Sequence, residues 1–351
     1  MRVAIVGGGL AGCALAYVLK VRGAEPVIVE AADRLASGAS GNRIGLYNPR
    51  FTAELGPQGA FYSKAFFRAL DVFGRLDEID WVPCGALHLI TDEKKARRFS
   101  KTCESWGWAQ EDMRLVDARE ASRIAGVEIT HDALYLRRSG SVCPEKLCRA
   151  YADGVDVHLN VRAESLAQVK TDFGADAVVA ANGLGALAFS ACTDLPLRAV
   201  RGQVTLVAGG GALDGLASHL CYGGYVSRAV DGVHVVGSTF QPWLDHCDLL
   251  EEDDLDNLAK LKEAVPVLAG AEFEVIGARA AVRCTVKDHF PVIGALDAAA
   301  GYYVSAGHGS HGILSSLEGA HILAGMILGE QGDWPSALLV ALSPGRFSTI
   351  C

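Results

Sequence analysis

The chain of 351 residues and 37.0 kDa is 50% hydrophobic and 21% charged, which excludes an intrinsically disordered protein. Its length exceeds what one hydrophobic core usually serves, so we expect two lobes. The net charge of -9 argues against a nucleic-acid binder that relies on positive charge over its whole surface, although a local basic patch stays compatible with it. The ten cysteines include no CxxC pair, which favours reduced thiols in a cytoplasmic protein over a disulfide or zinc scaffold.

The first stretch, from Val3 to Leu19, carries no charge. It is too short and too rich in glycine for a membrane span, which takes about 20 apolar residues. A secretion signal is the alternative, because "ALA" at 14–16 resembles a cleavage site. The order of patterns favours folded structure: "RVAIV" predicts a strand, "GGGLAG" a turn, "CALAYVLKVRG" a helix and "PVIVE" a second strand.

The turn carries the GxGxxG pattern of a dinucleotide site. Gly7 permits the tight turn, Gly9 lets the backbone approach a pyrophosphate, and Gly12 lets the helix pack closely. Glu30 ends the second strand, where a carboxylate accepts hydrogen bonds from ribose hydroxyls and disfavours the 2′-phosphate of NADP. A purely structural glycine turn is the alternative.

The loop after Glu30 indicates which dinucleotide binds. A nicotinamide-dependent dehydrogenase would continue into a further helix and strand, whereas this chain continues as a loop of small residues. Ala39, Ser40 and Gly41 are small enough to let a large flat ring approach the backbone, which favours a flavin.

Farther along the chain, apolar spacing, glycine and proline predict further elements. We expect helices at about 57–76 and in "DEKKARRFSKTCESW", a helix that begins near Pro144, a strand pair in "VDVHLNVRAE", a buried strand and glycine turn in "ADAVVAANGLGA", antiparallel sheet between about 200 and 275, and a solvated helix in "LEEDDLDNLAKLKEAVP".

Taken together, these motifs resemble the FAD-dependent D-amino-acid oxidase and glycine oxidase superfamily over essentially the whole chain. Two stretches, "GASGNRIGLYNPRF" and "RCTVKDHFPVIG", look most like the FAD oxidoreductase domain of the bifunctional tRNA 5-methylaminomethyl-2-thiouridine biosynthesis proteins. Two features depart from that pattern: the sequence lacks the methyltransferase domain, so a separate methyltransferase is expected, and His311 replaces a longer basic residue. The other motifs that carry the resemblance are "VAIVGGGLAG", "SGSVCPEKL", "VVAANG", "VRGQV", "GGYVSRAVDGVHVVGSTF" and "YYVSAGHGSHGILSSLEGAHILA".

The resemblance implies an α/β fold with a Rossmann-like FAD-binding domain of glutathione-reductase type and an interleaved substrate domain built on antiparallel sheet. We expect residues 1–80, 140–200 and 276–351 to form the discontinuous FAD-binding domain. Residues 81–139 and 201–275 would form the substrate-binding domain.

The resemblance also implies which residues hold a non-covalent FAD. Val161 would contact the adenine through its backbone, and Ala181, Asn182 and Gly183 would lie beside the pyrophosphate, with a buried strand and a turn as the alternative. The turn before the last long helix would direct N–H groups at the flavin. The other expected cofactor contacts are Leu10, Ala11, Asn42, Gly45, Leu46, Arg283, Gly309, Ser310, His311, Gly312 and Ile313.

The resemblance implies that Arg283 binds the substrate, because in "RCTVKD" it matches the position where glycine oxidases carry the arginine that binds the amino acid carboxylate. A guanidinium can do this with two hydrogen bonds. The alternative is an ion pair with Asp288, and Arg279 is a weaker candidate for the same role. The other candidate catalytic residues are Lys287 for the reaction of oxygen, Tyr225 for the pocket wall, and His311 with His308 for proton transfer, the histidines having hydrogen-bonded turn positions as their alternative. A covalent flavin link at Cys284 is disfavoured, because its neighbours do not match the covalent members of the superfamily.

The expected reaction is oxidation of a C–N bond in a glycine-like secondary amine. A carboxymethylaminomethyl group on the wobble uridine of tRNA is an N-substituted glycine, and its cleavage gives aminomethyl-uridine and glyoxylate. The alternatives are an oxidase or dehydrogenase of a free small amino acid (glycine, sarcosine or a D-amino acid) and a flavin-binding protein without turnover.

One helix face is the candidate tRNA contact. Lys94, Arg97, Arg98 and Lys101 share it, and Trp106 and Trp108 follow as possible stacking platforms, although such a run is usually only a solvated face.

Overall fold

The computed structural model describes residues 1–330 and 332–347. Its strands are β1 (Arg2–Val6), β2 (Glu25–Val29), β3 (Gly45–Leu46), β4 (Ala86–Leu89), β5 (Met113–Val116), β6 (Ala133–Leu136), β7 (Ser141–Val142), β8 (Asp156–His158), β9 (Ala177–Ala180), β10 (Arg198–Ala208), β11 (His219–Cys221), β12 (Tyr225–Val226), β13 (Val233–Gly237), β14 (Val275–Thr285), β15 (Val292–Asp297) and β16 (Tyr302–Ala306). Its α-helices are α1 (Leu10–Val21), α2 (Pro57–Phe73), α3 (Glu93–Trp106), α4 (Ala118–Ala125), α5 (Pro144–Tyr151), α6 (Leu166–Asp172), α7 (Glu251–Ala264), α8 (Gly312–Leu328) and α9 (Ser336–Leu342).

One sheet has the order β15-β16-β9-β1-β2-β8. All neighbours in it are parallel except β15 and β16. Its central strand β1 is an apolar run that is buried from Val3 to Val6, as expected for a parallel strand covered on both faces. The predicted strand, turn, helix and second strand therefore form the centre of a Rossmann-like sheet.

The second sheet has the order β14-β10-β13-β12-β11-β4-β6-β5, and it is antiparallel apart from the pair β11 and β4. Its longest ladder joins β10 to β14, from Arg198 opposite Thr285 to Val207 opposite Val275. The sheet matches the antiparallel structure that the sequence predicts, and with the first sheet it confirms the predicted α/β fold class.

The largest apolar core lies among the helices that cover the parallel sheet. Helices α1 and α8 pack against each other there, with Leu15, Leu19, Leu317 and Leu323 all fully buried. Each such side chain stabilises the fold by about 1.5–3 kcal/mol when it leaves water. This packing fixes α8, and with it the turn that precedes α8, against the first strand-turn-helix unit.

Two predicted elements differ from the structure. "VDVHLNVRAE" forms only β8, because the chain turns back after His158 and the Asn160 N–H donates to the Ala32 carbonyl. Helix α7 is not simply solvated: Asp253 and Asn257 are buried, where Asp253 binds the buried Arg201. Within the described residues, no helix combines the length and the apolar character that a membrane crossing requires.

The division into two domains stays a prediction. Strands β1, β2, β8, β9, β15 and β16 form one sheet. Strand β14, Val275–Thr285, pairs along its whole length with β10 of the other sheet. The predicted boundary at 276 therefore falls inside a strand.

Candidate active site

A cavity of about 900 Å³ lies where the two sheets meet. Val6, Val29, Ala181 and Ala306 line it, each at or just beyond the carboxyl end of a strand of the parallel sheet. Tyr225 and Arg283 on the second sheet line the opposite part. Ligands of open parallel sheets bind at the carboxyl ends of the strands, so this cavity is the candidate active site.

The glycine turn forms one end of the cavity, which we call the nucleotide end. Gly7 has φ +112°, and a Cβ atom there would lie 2.7 Å from the Ala181 carbonyl oxygen. A Cβ atom on Gly12 would lie 1.9 Å from the Gly7 carbonyl oxygen, so α1 approaches the turn as closely as only glycine permits. These contacts are the close approaches that the GxGxxG pattern predicts.

Glu30 is held at this end by two main-chain donors. The Gly8 N–H donates to one carboxylate oxygen at 2.6 Å, and the Ala32 N–H donates to the other at 2.8 Å. The Val161 N–H donates to the Glu30 carbonyl at 2.9 Å and is therefore already engaged. The carboxylate is oriented before any ligand binds, as a ribose acceptor requires.

The loop of small residues closes over the start of α1. The Leu10 N–H donates to the Ser40 hydroxyl at 3.0 Å, which satisfies one free donor of the helix. Arg279 donates to the side-chain oxygen of Asn42 at 2.9 Å and to the Gly38 carbonyl. Arg279 therefore positions this loop, and it does not share the substrate-binding role considered for it.

Two of the expected cofactor contacts do not line the cavity. Gly12 lies behind the turn, and Gly41 packs against the Ala36 carbonyl and Arg279. The expected residues that do line the cavity are Gly7, Gly9, Leu10, Ala11, Glu30, Ala39, Ser40, Asn42, Gly45, Leu46, Val161, Ala181, Asn182, Gly183, Arg283, Gly309, Ser310, His311, Gly312 and Ile313.

The residues present fit an FAD. The side-chain oxygen of Asn182 is buried and has no hydrogen-bond partner within 1–330 and 332–347, although its residue lines the cavity. A buried polar group without a partner is costly, so a ligand donor is expected there. The glycine turn and the Glu30 carboxylate accommodate a pyrophosphate and a ribose, and the volume is of the order that cofactor sites have.

The other end of the cavity, the substrate end, includes the turn Gly309–His311 and the start of α8. His308 is held between two hydroxyls, with Nε2 3.0 Å from Ser305 and Nδ1 2.9 Å from Ser315. Burial lowers the pKa of His308 to about 4, so this ring is neutral near pH 7. His308 is thus a hydrogen-bonded turn histidine, which was the alternative to a role in proton transfer.

His311 lies nearer the cavity. Its Nδ1 is 3.2 Å from the Asn48 carbonyl oxygen, and burial lowers the pKa of His311 to about 4. Because a carbonyl oxygen only accepts, Nδ1 carries the proton and Nε2 is left as an acceptor. His311 is therefore a neutral ring that can accept a proton or a hydrogen bond.

Arg283 is the cation of the substrate end. Its Nη2 donates to the Ser238 hydroxyl at 2.6 Å, whereas its Nη1 is buried and has no partner in the described residues. Its guanidinium lies over Gly202 of β10, where a Cβ atom would approach Nη1 to 2.2 Å. Burial lowers the pKa of Arg283, and Tyr225 is the neighbour that opposes this shift. Gly202 therefore leaves room for the guanidinium, and no residue in 1–330 or 332–347 pairs with its charge.

The alternative pairing of Arg283 with Asp288 does not form. Asp288 instead binds Arg346, at 3.0 Å from Nε. Lys287 is exposed and does not line the cavity, so the structure does not bring it to the other candidate catalytic residues. Burial raises the pKa of the Cys284 thiol to about 11, which makes it a poor nucleophile and agrees with the expected non-covalent FAD.

Several lining residues were missed by the sequence reasoning. Asn48, Ser238 and Phe240 line the main cavity, and Arg50 lines a small adjoining cavity of about 80 Å³ together with Phe240 and Arg283. All four lie in stretches that carry the family resemblance, "GASGNRIGLYNPRF" and "GGYVSRAVDGVHVVGSTF". Spacing within those stretches gives no role to any of the four, so only the pairing of the folded strands with Arg283 brings them to the site.

The structure exposes the basic residues of the candidate tRNA contact but not both of its tryptophans. Lys94, Arg98 and Lys101 are exposed on α3, and the exposed Arg97 binds Glu93 at 2.7 Å. Trp106 is 5% exposed and donates to the Thr52 carbonyl, so it is core and cannot stack on a nucleobase. Trp108 is half-buried and donates to the Ser63 hydroxyl, and its ring stacks on Phe66.

Comparison with known proteins also indicates an FAD-dependent enzyme. Residues 2–326 match the DAO family, described as FAD dependent oxidoreductase. The chain is 32% identical to the tRNA 5-methylaminomethyl-2-thiouridine biosynthesis bifunctional protein MnmC of Methylobacillus flagellatus, over 99% of this chain and 59% of that protein. The protein of the same name from Nitrosospira multiformis is 31% identical over 97% and 59%. The chain thus spans about three-fifths of the length of these relatives.

Two solved structures share the fold. Glycine oxidase from Geobacillus kaustophilus superposes with a TM-score of 0.83 at 23% identity, over 98% of this chain and 99% of that chain. L-proline dehydrogenase from P. horikoshii gives 0.82 at 17%, over 99% and 97%. The predicted cofactor and the predicted oxidoreductase class are confirmed by the family match. The chain belongs to the DAO family of FAD-dependent oxidoreductases.

Proposed function

We propose that this enzyme oxidises the C–N bond of an N-carboxymethyl amine carried by the wobble uridine of tRNA. The observation that carries the proposal is the buried Nη1 of Arg283, which has no partner among the described residues and lies on the wall of the cavity. A buried cation without a counter-ion is costly, so its presence favours an anionic substrate. A carboxylate satisfies the guanidinium with charge-assisted hydrogen bonds.

The neighbours of Arg283 orient that carboxylate. Ser238 holds one end of the guanidinium through Nη2, and Gly202 leaves room beneath it. Tyr225 stands beside it; burial raises the pKa of Tyr225, so its hydroxyl stays protonated, and it donates to the Ile44 carbonyl at 3.5 Å, which holds the ring in the cavity wall. The carboxylate is thereby fixed, and the adjacent CH₂–NH group is turned towards the rest of the cavity.

His311 is suited to accept a hydrogen bond from the amine N–H, and its low pKa of about 4 makes it a weak base that leaves the amine neutral. Its Nε2 is an acceptor because Nδ1–H faces the Asn48 carbonyl. Gly7, Gly9, Glu30, Asn182 and the turn before α8 would hold FAD, which supplies the two-electron acceptor when bound. The CH–NH group of the substrate loses two electrons and two protons, one from carbon and one from nitrogen, and becomes the C=N group of an imine. Water then adds to the imine carbon, and the C–N bond breaks to release the primary amine and glyoxylate.

The tRNA part of the proposal rests on the names of the relatives, since the two MnmC proteins are described as acting in the biosynthesis of a tRNA nucleoside. A carboxymethylaminomethyl group offers the carboxylate and secondary amine that the Arg283 site takes. With a tRNA substrate we propose a cytoplasmic location for the enzyme. Methylation of the product would need a methyltransferase, which we propose as a partner of this enzyme.

The test is the flavin absorbance of the purified protein under anaerobic conditions. Addition of tRNA that bears carboxymethylaminomethyl-uridine should bleach the flavin and release glyoxylate in equal amounts. Bleaching by glycine or sarcosine, with no bleaching by this tRNA, would instead assign a free amino acid as the substrate. A bound flavin that none of these amines reduces would indicate a flavin-binding protein without turnover.

A further inference from the structure

The segment Ser238–Gln241 connects the substrate end to the surface. It is extended, and its side chains alternate in direction: the Ser238 hydroxyl accepts from Arg283, whereas Thr239 is buried and its hydroxyl accepts from the Gln203 N–H at 2.9 Å. Phe240 returns to the cavity side and lines both the main cavity and the small adjoining one. The period of two places Ser238 and Phe240 on one face.

Both residues next to Phe240 are fixed. The Thr239 N–H donates to the Gln203 carbonyl at 3.1 Å, and Gln241 exchanges main-chain hydrogen bonds with Arg201 at 2.9 and 3.1 Å. The Gln241 side chain also binds the buried Asp253 at 2.8 Å. Phe240 is therefore presented by a rigid support, and its position does not depend on a loose loop.

Phe240 is nevertheless 54% exposed, and Trp243 three residues later is 73% exposed. Phe240 lines both cavities, so its exposed face borders the substrate end, and a ligand that extends out of the cavity would cover this face. A free amino acid that fits between Arg283 and His311 would leave the outer face of Phe240 in water.

The charge around Phe240 favours an anionic ligand. Two guanidinium groups, those of Arg50 and Arg283, line the small cavity, and none of its lining residues carries a carboxylate. His308 and His311 also line it, but both rings are neutral near pH 7 and add no charge. Arg50 donates to the Asp288 and His289 carbonyls and to the Gln58 side chain, which fixes its position. This local patch contrasts with the net charge of -9 of the whole chain.

We propose that Phe240 is a stacking platform for a nucleobase of the RNA that carries the amine, with Arg50 placed to meet its backbone. This inference rests on the proposed function, and it names the feature that selects a nucleotide-borne amine over a free one. Base stacking on an aromatic ring tolerates any base, because each base has a flat face. The platform would hold the RNA while the carboxymethyl group reaches Arg283.

The test measures RNA binding separately from turnover. The FAD-loaded protein is titrated into a fluorescently labelled anticodon stem-loop RNA, and binding is followed by anisotropy. Loss of one stacked base corresponds to about a 5- to 150-fold weaker Kd, which we expect for Phe240→Leu. Phe240→Trp should restore binding to about the wild-type value. Val340→Ala, on the exposed face of α9, is the matched control for loss of an exposed apolar side chain and should change nothing.

Turnover then separates the two proposals. A Phe240→Leu loss in kcat/KM for the modified RNA that clearly exceeds the loss for sarcosine supports the platform, and equal losses overturn it because the ring would then be only a cavity wall. RNA binding that depends on Phe240 without oxidation of the modified RNA would support the platform and overturn the proposed function. Oxidation of the modified RNA, together with unchanged RNA binding by Phe240→Leu, would support the proposed function and overturn the platform. A change of oligomeric state in Phe240→Leu would assign the ring to a protein interface and overturn the platform.

Discussion

The two ends of the cavity are built in different ways. The nucleotide end comes mainly from one continuous stretch, in which main-chain groups of the glycine turn and the Glu30 carboxylate lie within the first strand-turn-helix-strand unit. The substrate end is assembled from β10, β12, β14 and the turn before α8, and its side chains are far apart in the sequence. The first end needs close backbone approach, whereas the second needs a buried cation kept without a counter-ion. Substitutions should therefore affect binding of the cofactor at one end and of the substrate at the other.

Gly12→Ala should have the largest effect. Its Cβ atom would lie 1.9 Å from the Gly7 carbonyl oxygen, which is main chain in the turn and cannot rotate away. Overpacking of this kind costs about 1–3 kcal/mol or more, so we expect the free energy of unfolding to fall by about 3 kcal/mol and FAD to be lost on purification. Urea unfolding and flavin absorbance measure both. Gly270→Ala, which has nothing within 4 Å of the new methyl group, should leave both unchanged.

Arg283→Met should separate substrate binding from stability. The loss of a charge-assisted carboxylate contact is worth about 1.5–3 kcal/mol, so kcat/KM should fall about 10- to 150-fold. Because Nη1 has no partner in the described residues, the free energy of unfolding should stay constant or rise.

Arg279→Met, the matched control on the same strand, should weaken FAD binding, since Arg279 holds Asn42 and Gly38. A loss of stability in Arg283→Met, or a loss of substrate binding alone in Arg279→Met, would contradict the assignment of the two arginines.

Gly202→Ala should produce a smaller, purely functional loss. The new methyl group would approach the Arg283 guanidinium to 2.2–2.6 Å, and the end of this side chain can move where the main chain at Gly12 cannot. We expect KM for sarcosine to rise on the order of tenfold because the displaced guanidinium no longer meets the carboxylate well. FAD content and thermal stability should match the wild type. Loss of FAD in this variant would show that the two ends are not independent.

The nucleotide end can be proposed from the sequence because its requirements are local. Gly7, Gly9 and Glu30 satisfy them within one unit, and spacing alone identifies them. Arg283 was found only through a family resemblance, and the glycine that makes room for it became visible only once β10 and β14 were paired. Spacing on a helix also misled: Trp106 follows the basic face in sequence, yet it turns inward onto the Thr52 carbonyl. Burial and cross-strand pairing decide such cases, and neither is encoded in local spacing.

A substitution of the buried His219 should have the smallest effect on stability at neutral pH. His219 on β11 is fully buried, its Nδ1 accepts from the Arg228 N–H at 3.0 Å, and burial lowers the pKa of His219 to about 3. Between pH 6.5 and 3, His219 is therefore protonated in the unfolded chain, where the histidine pKa is about 6.5, and neutral in the folded chain. Folding stability should fall as the pH decreases from 6.5 towards 3, by up to about 1.4 kcal/mol per pH unit from this group.

His219→Asn keeps an acceptor for Arg228 and cannot titrate. Its free energy of unfolding should equal the wild-type value less a constant packing loss at pH 7, and it should decline less steeply below pH 6.5. Urea unfolding at pH 7, 5.5 and 4.5 measures the two slopes. Parallel slopes would mean that His219 takes up its proton without unfolding. In that case burial would not depress the pKa of His219 in the folded chain, and β11, which pairs with the strand of Tyr225, would tolerate a charged imidazole.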